Sequence, residues 1–341
     1  MGTAQTLDEL DRRIIVALQQ DGRASWTSIA EVCHTSVPTV ARRAQQLIDD
    51  GVVRIAVMPE LGSSGPVESF IVRLGCRPGS QLDVAAQLVQ REEVRFLAVV
   101  TGPDDLVFEM IVPRGASNYP RLIKEMQTID GVVRWHSDLL LHVYKVAHDW
   151  SRQLLEDDVD EVLPHEPADC QPTHLDATDR QIIGMLRDDG RAGFKVVAEK
   201  LGLNESTVRR RFDRLQENGC ITVLTLIPAA ALGLESETLM TVQVTPGSIG
   251  SVAAELAGHR AVRYLAATLD GNALLCEVIA TSTSSLFEFI TTVLAKLDGV
   301  LGWSASMELM FLKRGFVETP WWRAQAGVPE DGVPEDGPIT G

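Results

Sequence analysis

An α+β chain that carries one two-domain unit twice is the fold class this sequence predicts, and three observations predict it. The first is internal repetition. A shift of 168 residues lays Leu7-Asp8-Glu9-Leu10-Asp11-Arg12-Arg13-Ile14-Ile15 on Leu175-Asp176-Ala177-Thr178-Asp179-Arg180-Gln181-Ile182-Ile183, and Asp21-Gly22-Arg23-Ala24 on Asp189-Gly190-Arg191-Ala192. It also pairs Thr39-Val40 and Arg42-Arg43 with Thr207-Val208 and Arg210-Arg211, Asp130-Gly131-Val132 with Asp298-Gly299-Val300, and Lys145 with Lys313. The second is that each repeat opens on helical periodicity. The third is that each then changes to strands alternating with helices. A repeat this long exceeds a solenoid unit, so the reading is a duplicated two-domain protein.

In the first repeat, Leu7 or Asp8 begins a helix with Ile14, Ile15 and Leu18 on one face, ending at Asp21-Gly22. A short second helix follows around Ser28–Cys33. Ser36 caps a third, with Pro38 tolerated in its first turn. Val40, Ala44 and Leu47 fall at i, i+4 and i+7 and should be buried. Gly51 ends this helix, and Val52–Met58 reads as a strand. The second repeat has Asn204 as cap, Val208, Phe212 and Leu215 as the inner face and Gly219 as terminator. Three helices and a strand wing make a winged helix-turn-helix.

The rest of the first repeat reads as strand 67–74, helix 80–91, strands 94–100 and 105–112, helix 116–128 and strand 132–144. That order, βαββαβ, is the ferredoxin-like split unit. The second repeat matches it, with strands near 238–245, 261–268, 273–280 and 300–312 and helices near 248–258 and 283–297. The domain reading is 1–60 and 175–230 for the helical units, and 66–146 and 235–316 for the ferredoxin-like units. Residues 147–174 form an acidic linker, with one short helix at Trp150–Leu155, and 317–341 a disordered acidic tail.

The formal net charge of −16 looks wrong for a nucleic-acid binder until it is located. Residues 147–170 carry eight acids against one Arg, and residues 318–341 five against one, so most of the excess lies in linker and tail. The five cysteines (Cys33, Cys76, Cys170, Cys220, Cys276) are far apart, without a Cys-x-x-Cys pair, and read as reduced core thiols. No apolar stretch approaches a membrane span, and no basic-then-apolar leader begins the chain, so the expectation is a cytoplasmic protein without a membrane partner.

The strongest functional pattern is the exposed face of the third helix in each repeat. It offers Ser36, Thr39, Arg42 and Arg43 in the first, and Asn204, Ser206, Thr207, Arg209, Arg210, Arg211 and Arg214 in the second. Short polar groups near a helix N-terminus with Arg farther along suit a helix laid in the major groove of double-stranded DNA. A solvated helix face offers similar residues, but duplication of the whole pattern favours the DNA reading. Residues 175–230 hold nine basic and eight acidic groups against six and eight in 7–60, so the second unit should grip phosphates more firmly.

These runs, Leu-Asp-x-x-Asp-Arg-x-Ile-Ile, Asp-Gly-Arg-Ala and Thr-Val-x-Arg-Arg before a βαββαβ unit ending Asp-Gly-Val and Lys, resemble the Lrp/AsnC (feast/famine) transcription regulators. The resemblance covers nearly the whole chain twice. It implies a DNA-binding domain followed by a domain that senses an amino acid or related metabolite, and homo-oligomers that pair through the sensing domains. It also implies an effector turn, Gly-x-x-Asp, between the second and third strands of the sensing domain. Thr101, Gly102, Asp104 and Asp105 match that turn, whereas Leu269-Asp270-Gly271-Asn272-Ala273 changes both motif positions, which implies a degenerate second site.

One branch of this architecture resembles siroheme decarboxylases, which carry a His-Asn-Tyr stretch where this chain has Leu97-Ala98-Val99 and Leu265-Ala266-Ala267. The expectation is therefore a regulator and not an enzyme, with no catalytic residues, cofactor or metal. A ligand sensor that has lost DNA binding is the other alternative, and Arg209–Arg214 argue against it. His136 and His142 share a strand without a carboxylate or Cys to complete a metal set. Asp8, Asp11, Asp176 and Asp179 read as helix-start acids. Trp135 and Trp303 read as interface residues, and Trp321-Trp322 as docking back or anchoring the tail.

Overall fold

The computed structural model describes residues 7–61, 65–115, 118–151, 175–271 and 273–327. In the first copy the elements are α1 (Glu9–Gln20), α2 (Trp26–Val32), α3 (Val37–Asp49), β1 (Arg54–Pro59), β2 (Val67–Cys76), α4 (Gln81–Val89), β3 (Val94–Val100), β4 (Leu106–Pro113), α5 (Tyr119–Gln127) and β5 (Val132–Val146). The second copy continues with α6 (Ala177–Asp188), α7 (Phe194–Leu201), α8 (Glu205–Glu217), β6 (Ile221–Leu226), β7 (Ser236–Val244), α9 (Ile249–Gly258), β8 (Val262–Thr268), β9 (Ala273–Ala280), α10 (Thr283–Glu288), β10 (Val300–Arg314), β11 (Val317–Glu318) and α11 (Trp322–Ala326).

The Leu-Asp-x-x-Asp repeat is a pair of capping boxes. Asp8 Oδ1 accepts from Asp11 N at 2.9 Å and Asp11 Oδ2 accepts from Asp8 N at 3.3 Å. Asp176 and Asp179 repeat the exchange at 2.8 and 3.2 Å. Each box satisfies two orphan amides at a helix start. Behind it, Ile14, Ile15 and Leu18 pack on Val40, Ala44 and Leu47, and Ile182, Ile183 and Leu186 on Val208, Phe212 and Leu215.

The wings depart from the expectation of two separate units. Each wing is a single strand, and its partner belongs to the other copy: β1 and β6 pair antiparallel from Arg54↔Leu226 to Pro59↔Ile221. The Asp-Gly-Arg-Ala repeat closes the same contact from both sides. Arg23 donates to the carbonyls of Gly190 and Ala192, and Arg191 donates to those of Gly22 and Ala24 at 2.7 and 3.0 Å. The Arg23 guanidinium lies 4.3 Å from the Phe194 ring centre, and that of Arg191 3.9 Å from the Trp26 ring. Glycine is required here by proximity. A Cβ on Gly22 would come within 2.8 Å of Val223, and one on Gly190 within 2.8 Å of the Ala56 backbone nitrogen.

Each βαββαβ unit forms a four-stranded antiparallel sheet, and the two sheets close on each other. The order around the ring is β3-β4-β2-β5-β8-β9-β7-β10, with β10 returning to β3. The seams are β5 on β8 and β10 on β3, so no open edge remains in the eight-stranded ring. Both faces of β4 and β9 are buried along nearly their whole length, whereas β5 and β10 are half-buried or exposed along most of theirs. Outward residues such as Val72, Leu97 and Phe108 pack under α4, and Met240, Leu265 and Leu274 under α9. Their inward neighbours Ile71, Ala98, Val107, Leu239 and Leu275 meet inside. β4 and β9 therefore read as apolar runs interrupted by a single glutamate each, without a polar alternate face.

The repeated lysines cross the seams. Lys145 donates from Nζ to the carbonyl of His259 at 3.0 Å, just past α9, and Lys313 donates to that of Arg91 at 2.6 Å, just past α4. Each supplies a cation where the helix dipole is negative, in the opposite copy. Burial pushes both ammonium groups down to about 8. The folded state therefore binds fewer protons than the unfolded chain between about pH 8 and the usual lysine range, and stability should rise with pH there. Thermal unfolding of the protein beside Lys145→Met, from pH 7 to 10, should show the parent gaining on the variant; parallel curves would contradict it.

Three expectations are corrected. The helix expected at 283–297 breaks after Glu288 into a π turn, Phe289–Val293, and a 3₁₀ turn, Leu294–Lys296. Thr291 and Thr292 hydroxyls donate to the Phe287 and Glu288 carbonyls at 2.9 and 2.7 Å, which loosens the α ladder. The tail expected to be disordered from 317 starts with β11 and α11, because Trp322 is fully buried against the first copy's core; residues 328–341 lie outside the described residues. The linker's first residues are likewise docked: Trp150 is buried in the first helical core and Ser151 N donates to Gln19 Oε1 at 3.1 Å. The helix read at Trp150–Leu155 falls mostly outside the described residues, as do Cys170 and residues 152–174. Trp135 packs against the first copy's core, whereas Trp303 is 49% exposed. The four described cysteines are buried.

Candidate nucleic-acid interface

The sequence pattern on α3 and α8 divides into two groups once the side chains are placed. Arg43 and Arg211, at equivalent positions, reach back to the capping boxes. Arg43 binds Asp8 and Asp11 at 2.6 and 2.9 Å, and Arg211 binds Asp176 and Asp179 at 2.7 and 2.8 Å. Hydrogen bonding to Arg211 holds the Asp176 carboxyl below the usual range. Arg214 adds a contact to Asp179 at 2.7 Å. These three arginines tie the third helix of each unit to its first.

The other group faces solvent. Arg42 and Arg210 are equivalent, exposed and without an ion pair among the described residues. Around Arg210 lie Ser206, which is exposed, Thr207, half-buried, and Arg209, which binds Glu205 at 3.0 Å one turn away. Ser36 Oγ caps α3 by accepting from Thr39 N at 3.3 Å, and the two hydroxyls meet at 2.7 Å. Asn204 occupies the same cap position, but its carboxamide makes no capping bond. The α8 face is thus the richer in unspent donors, although Glu205, Asp213 and Glu217 interleave with them.

Arg210→Ala should reduce DNA affinity several-fold and lower the salt slope by about 1, with a smaller loss for Arg42→Ala. Arg211→Ala should instead destabilise the fold by about 2 kcal/mol, since it strips a charge-assisted hydrogen bond from the buried Asp179. Anisotropy titrations over salt, beside thermal unfolding, separate the two; equal salt slopes for Arg210→Ala and the parent would refute the division.

The turn at 101–105 sits on the β3–β10 seam. Thr101 N donates to the Met307 carbonyl, and Met307 N to Thr101 Oγ1, both at 2.9 Å. Gly102 has φ +102°, which favours glycine, and a Cβ there would stand 3.2 Å from Ser306 Oγ. Asp104 is buried and bonded to Arg134 at 3.0 Å, and Asp105 Oδ2 accepts from Cys76 N at 2.7 Å. Both carboxylates help to fix the turn, and among the described residues Asp105 Oδ1 has a long contact to Gln81 at 3.5 Å. At the equivalent turn Leu269 N donates to the Leu139 carbonyl at 2.9 Å, and Asn272 lies outside the described residues.

Three features escaped sequence reading. The reciprocal Arg23 and Arg191 contacts were signalled by the repeated Asp-Gly-Arg-Ala, whose role repetition alone does not give. The lysine crossings were signalled in the same way. A charged cluster in the ring interior, with buried Glu109, Arg263, Glu277 and Glu308 and half-buried Arg95 and Arg314, was signalled by charges interrupting apolar strands.

The model of the AsnC-type helix-turn-helix domain matches residues 7–48 and 175–216. An uncharacterized HTH-type transcriptional regulator of Pyrococcus furiosus is 31% identical over 140 residues, spanning 41% of this chain and 95% of that protein. The HTH-type transcriptional regulator LrpA of Pyrococcus horikoshii is 31% identical over 127 residues, spanning 37% and 90%. The solved structure of the siroheme decarboxylase NirDL, in complex with an iron-uroporphyrin III analogue, superposes with a TM-score of 0.58 at 14% identity, covering 91% of this chain and 94% of that one. Two AsnC-type helix-turn-helix units and the regulators that the chain resembles in sequence place it among transcriptional regulators. The chain belongs to the Lrp/AsnC family, as a tandem duplication of its unit. Among the described residues no helix is long and apolar enough to cross a membrane.

Proposed function

We propose that this chain is a sequence-specific DNA-binding regulator whose two reading helices, α3 and α8, address non-identical half-sites. The observation that carries the proposal is that the Arg23–Arg191 contacts and the β1–β6 ribbon join the two helical units while leaving Arg42, Arg210 and the helix N-termini exposed. A fused pair prefers an asymmetric operator with half-sites about one helical turn apart, or a multiple of it. The βαββαβ ring supplies two ferredoxin-like sensing domains. A small metabolite of the amino-acid class acts at the Thr101, Gly102, Asp104 and Asp105 turn, where a shift is felt directly by β10 of the other copy. Chains associate further through the outer faces of the ring, and the protein works in the cytoplasm.

The fold likeness to a siroheme decarboxylase favours a second reading, catalysis on a tetrapyrrole. At 14% identity it speaks for fold alone. Leu97, Ala98, Leu265 and Ala266 are fully buried strand residues without a titratable group, so the non-enzymatic reading is preferred. Selection of bound sequences from a random duplex library at moderate salt tests the proposal. Enrichment of a non-palindromic motif supports two distinct heads, and only weak salt-sensitive binding would shift the weight to the ring. On the enriched motif, Asp105→Asn should abolish the response to an effector while leaving ligand-free DNA affinity within about twofold. An unchanged response would put the ligand elsewhere.

A further inference from the structure

The ring interior is where the two copies differ in buried charge. Each keeps one arginine–glutamate pair at equivalent positions, Arg95 with Glu109 at 2.7 Å and Arg263 with Glu277 at 2.8 Å. The second copy adds Glu237, Glu308 and Arg314 where the first has Ser69, Leu140 and Val146. Arg263 also donates to Glu237 at 2.7 Å, and Arg314 donates to Glu277 at 2.9 Å. Two guanidiniums thus serve two carboxylates, and Glu308 is left over. It is 7% exposed, and neither of its carboxylate oxygens has a hydrogen-bond partner. One of those oxygens lies within 4.8 Å of an oxygen of Glu237 and of Glu277. A carboxylate buried without a hydrogen-bond donor is among the costliest groups to place in a protein, and Arg263 and Arg314, which act on Glu308 only at a distance, are already bonded to Glu237 and Glu277. The first copy shows that leucine serves at the equivalent position. Three carboxylates against two guanidiniums leave one negative charge uncompensated.

We propose that Glu237, Glu277 and Glu308 bind a hard metal cation of the alkali or alkaline-earth type inside the ring. The donor set is all carboxylate oxygen, which selects such ions over zinc or copper. Oxygens grouped within 4.8 Å match the width of a calcium coordination shell, whose ligands stand about 2.3–2.6 Å from the ion. Arg263 and Arg314 limit the positive charge the site accepts, which favours a small, weakly charged ion over a cluster. A cavity of about 100 Å³, lined by Met58 and Leu224 of the ribbon, borders the cluster at Arg263, Glu277 and Arg314.

The test uses the full chain, treated with chelator and desalted into tetramethylammonium buffer. Thermal unfolding is followed as calcium, magnesium, sodium or potassium chloride is added, with tetramethylammonium chloride matching ionic strength. At least one metal ion should raise the midpoint by about 3 °C or more at millimolar concentration, and titration calorimetry with that salt should give one site per chain. Glu308→Leu, which copies the first repeat, and Glu308→Gln, which keeps the shape, should both fold and lose the response. The proposal is overturned by an equal rise in every salt, by a response that survives in Glu308→Leu, or by no response at all. In the last case Glu308 is held as a neutral acid, its carboxyl driven well above the usual range by burial beside Glu277.

Discussion

Arg263→Ala should lower the thermal unfolding midpoint by about 10 °C, the largest effect expected of any single side chain here. Arg263 is 5% exposed and bonds both Glu237 and Glu277. Its removal leaves Glu277, 5% exposed, with Arg314 as its only remaining guanidinium partner among the described residues. Breaking a buried pair from one side costs about 3–5 kcal/mol, because the surviving charge is desolvated without its partner. At about 2–4 °C per kcal/mol that gives the stated shift. Removing both charges should behave differently. Arg263→Met with Glu277→Leu should recover much of the loss, since apolar pairs of similar volume often replace buried ion pairs at little cost. A single variant that melts within 2 °C of the parent would mean water already reaches the pair.

The second large effect concerns DNA. Arg23→Ala with Arg191→Ala should weaken binding to a two-half-site duplex by about a hundredfold, yet barely change binding to a single half-site. Neither arginine belongs to the reading face. Each donates to two backbone carbonyls of the other copy and stacks on its aromatic ring. Without them the helical units are joined by the β1–β6 ribbon and a few contacts beside it, among them Gly190 N to the Ile55 carbonyl at 2.8 Å and Arg54 to Asp188 at 3.5 Å. A second head held less firmly loses effective concentration over its half-site, and avidity falls without loss of any base contact. Equal losses on the one-site and two-site duplexes would show that the arginines touch DNA or support each unit's own fold.

Much of this architecture was legible in the residues. Ile14, Ile15 and Leu18 and their counterparts showed a helical period because they pack against the third helix, although the second half of α1 is buried all round, Val16, Ala17 and Gln19 included. Strands 94–100 and 273–280 coincide with β3 and β9, since apolar runs bounded by turns leave little freedom. What the residues could not disclose was pairing across the copies. β1 looks like any edge strand until β6 is placed beside it, and nothing local distinguishes a wing that folds on its own unit from one that reaches over. The candidate interface was half legible for a related reason. Helical spacing puts Arg42 and Arg43 next to each other, but the 100° between neighbours turns one to solvent and the other to Asp8 and Asp11. The Thr291 and Thr292 back-bonds that open a π turn leave no periodic trace.

In a ring assembled from two identical chains, every substitution arrives twice, once on each side of the axis. A carboxylate introduced at the position of Glu308 would face its own copy's effects in both halves, and an altered reading helix would alter both half-sites together. The 23-residue stretch from 152 to 174 that joins the copies removes that constraint. Leu140 and Glu308, Pro38 and Ser206, Ala41 and Arg209 can each be inherited separately. One half is then free to keep the ring closed while the other acquires a new contact, and under the proposed function a lineage carrying this fusion can change one operator half-site at a time.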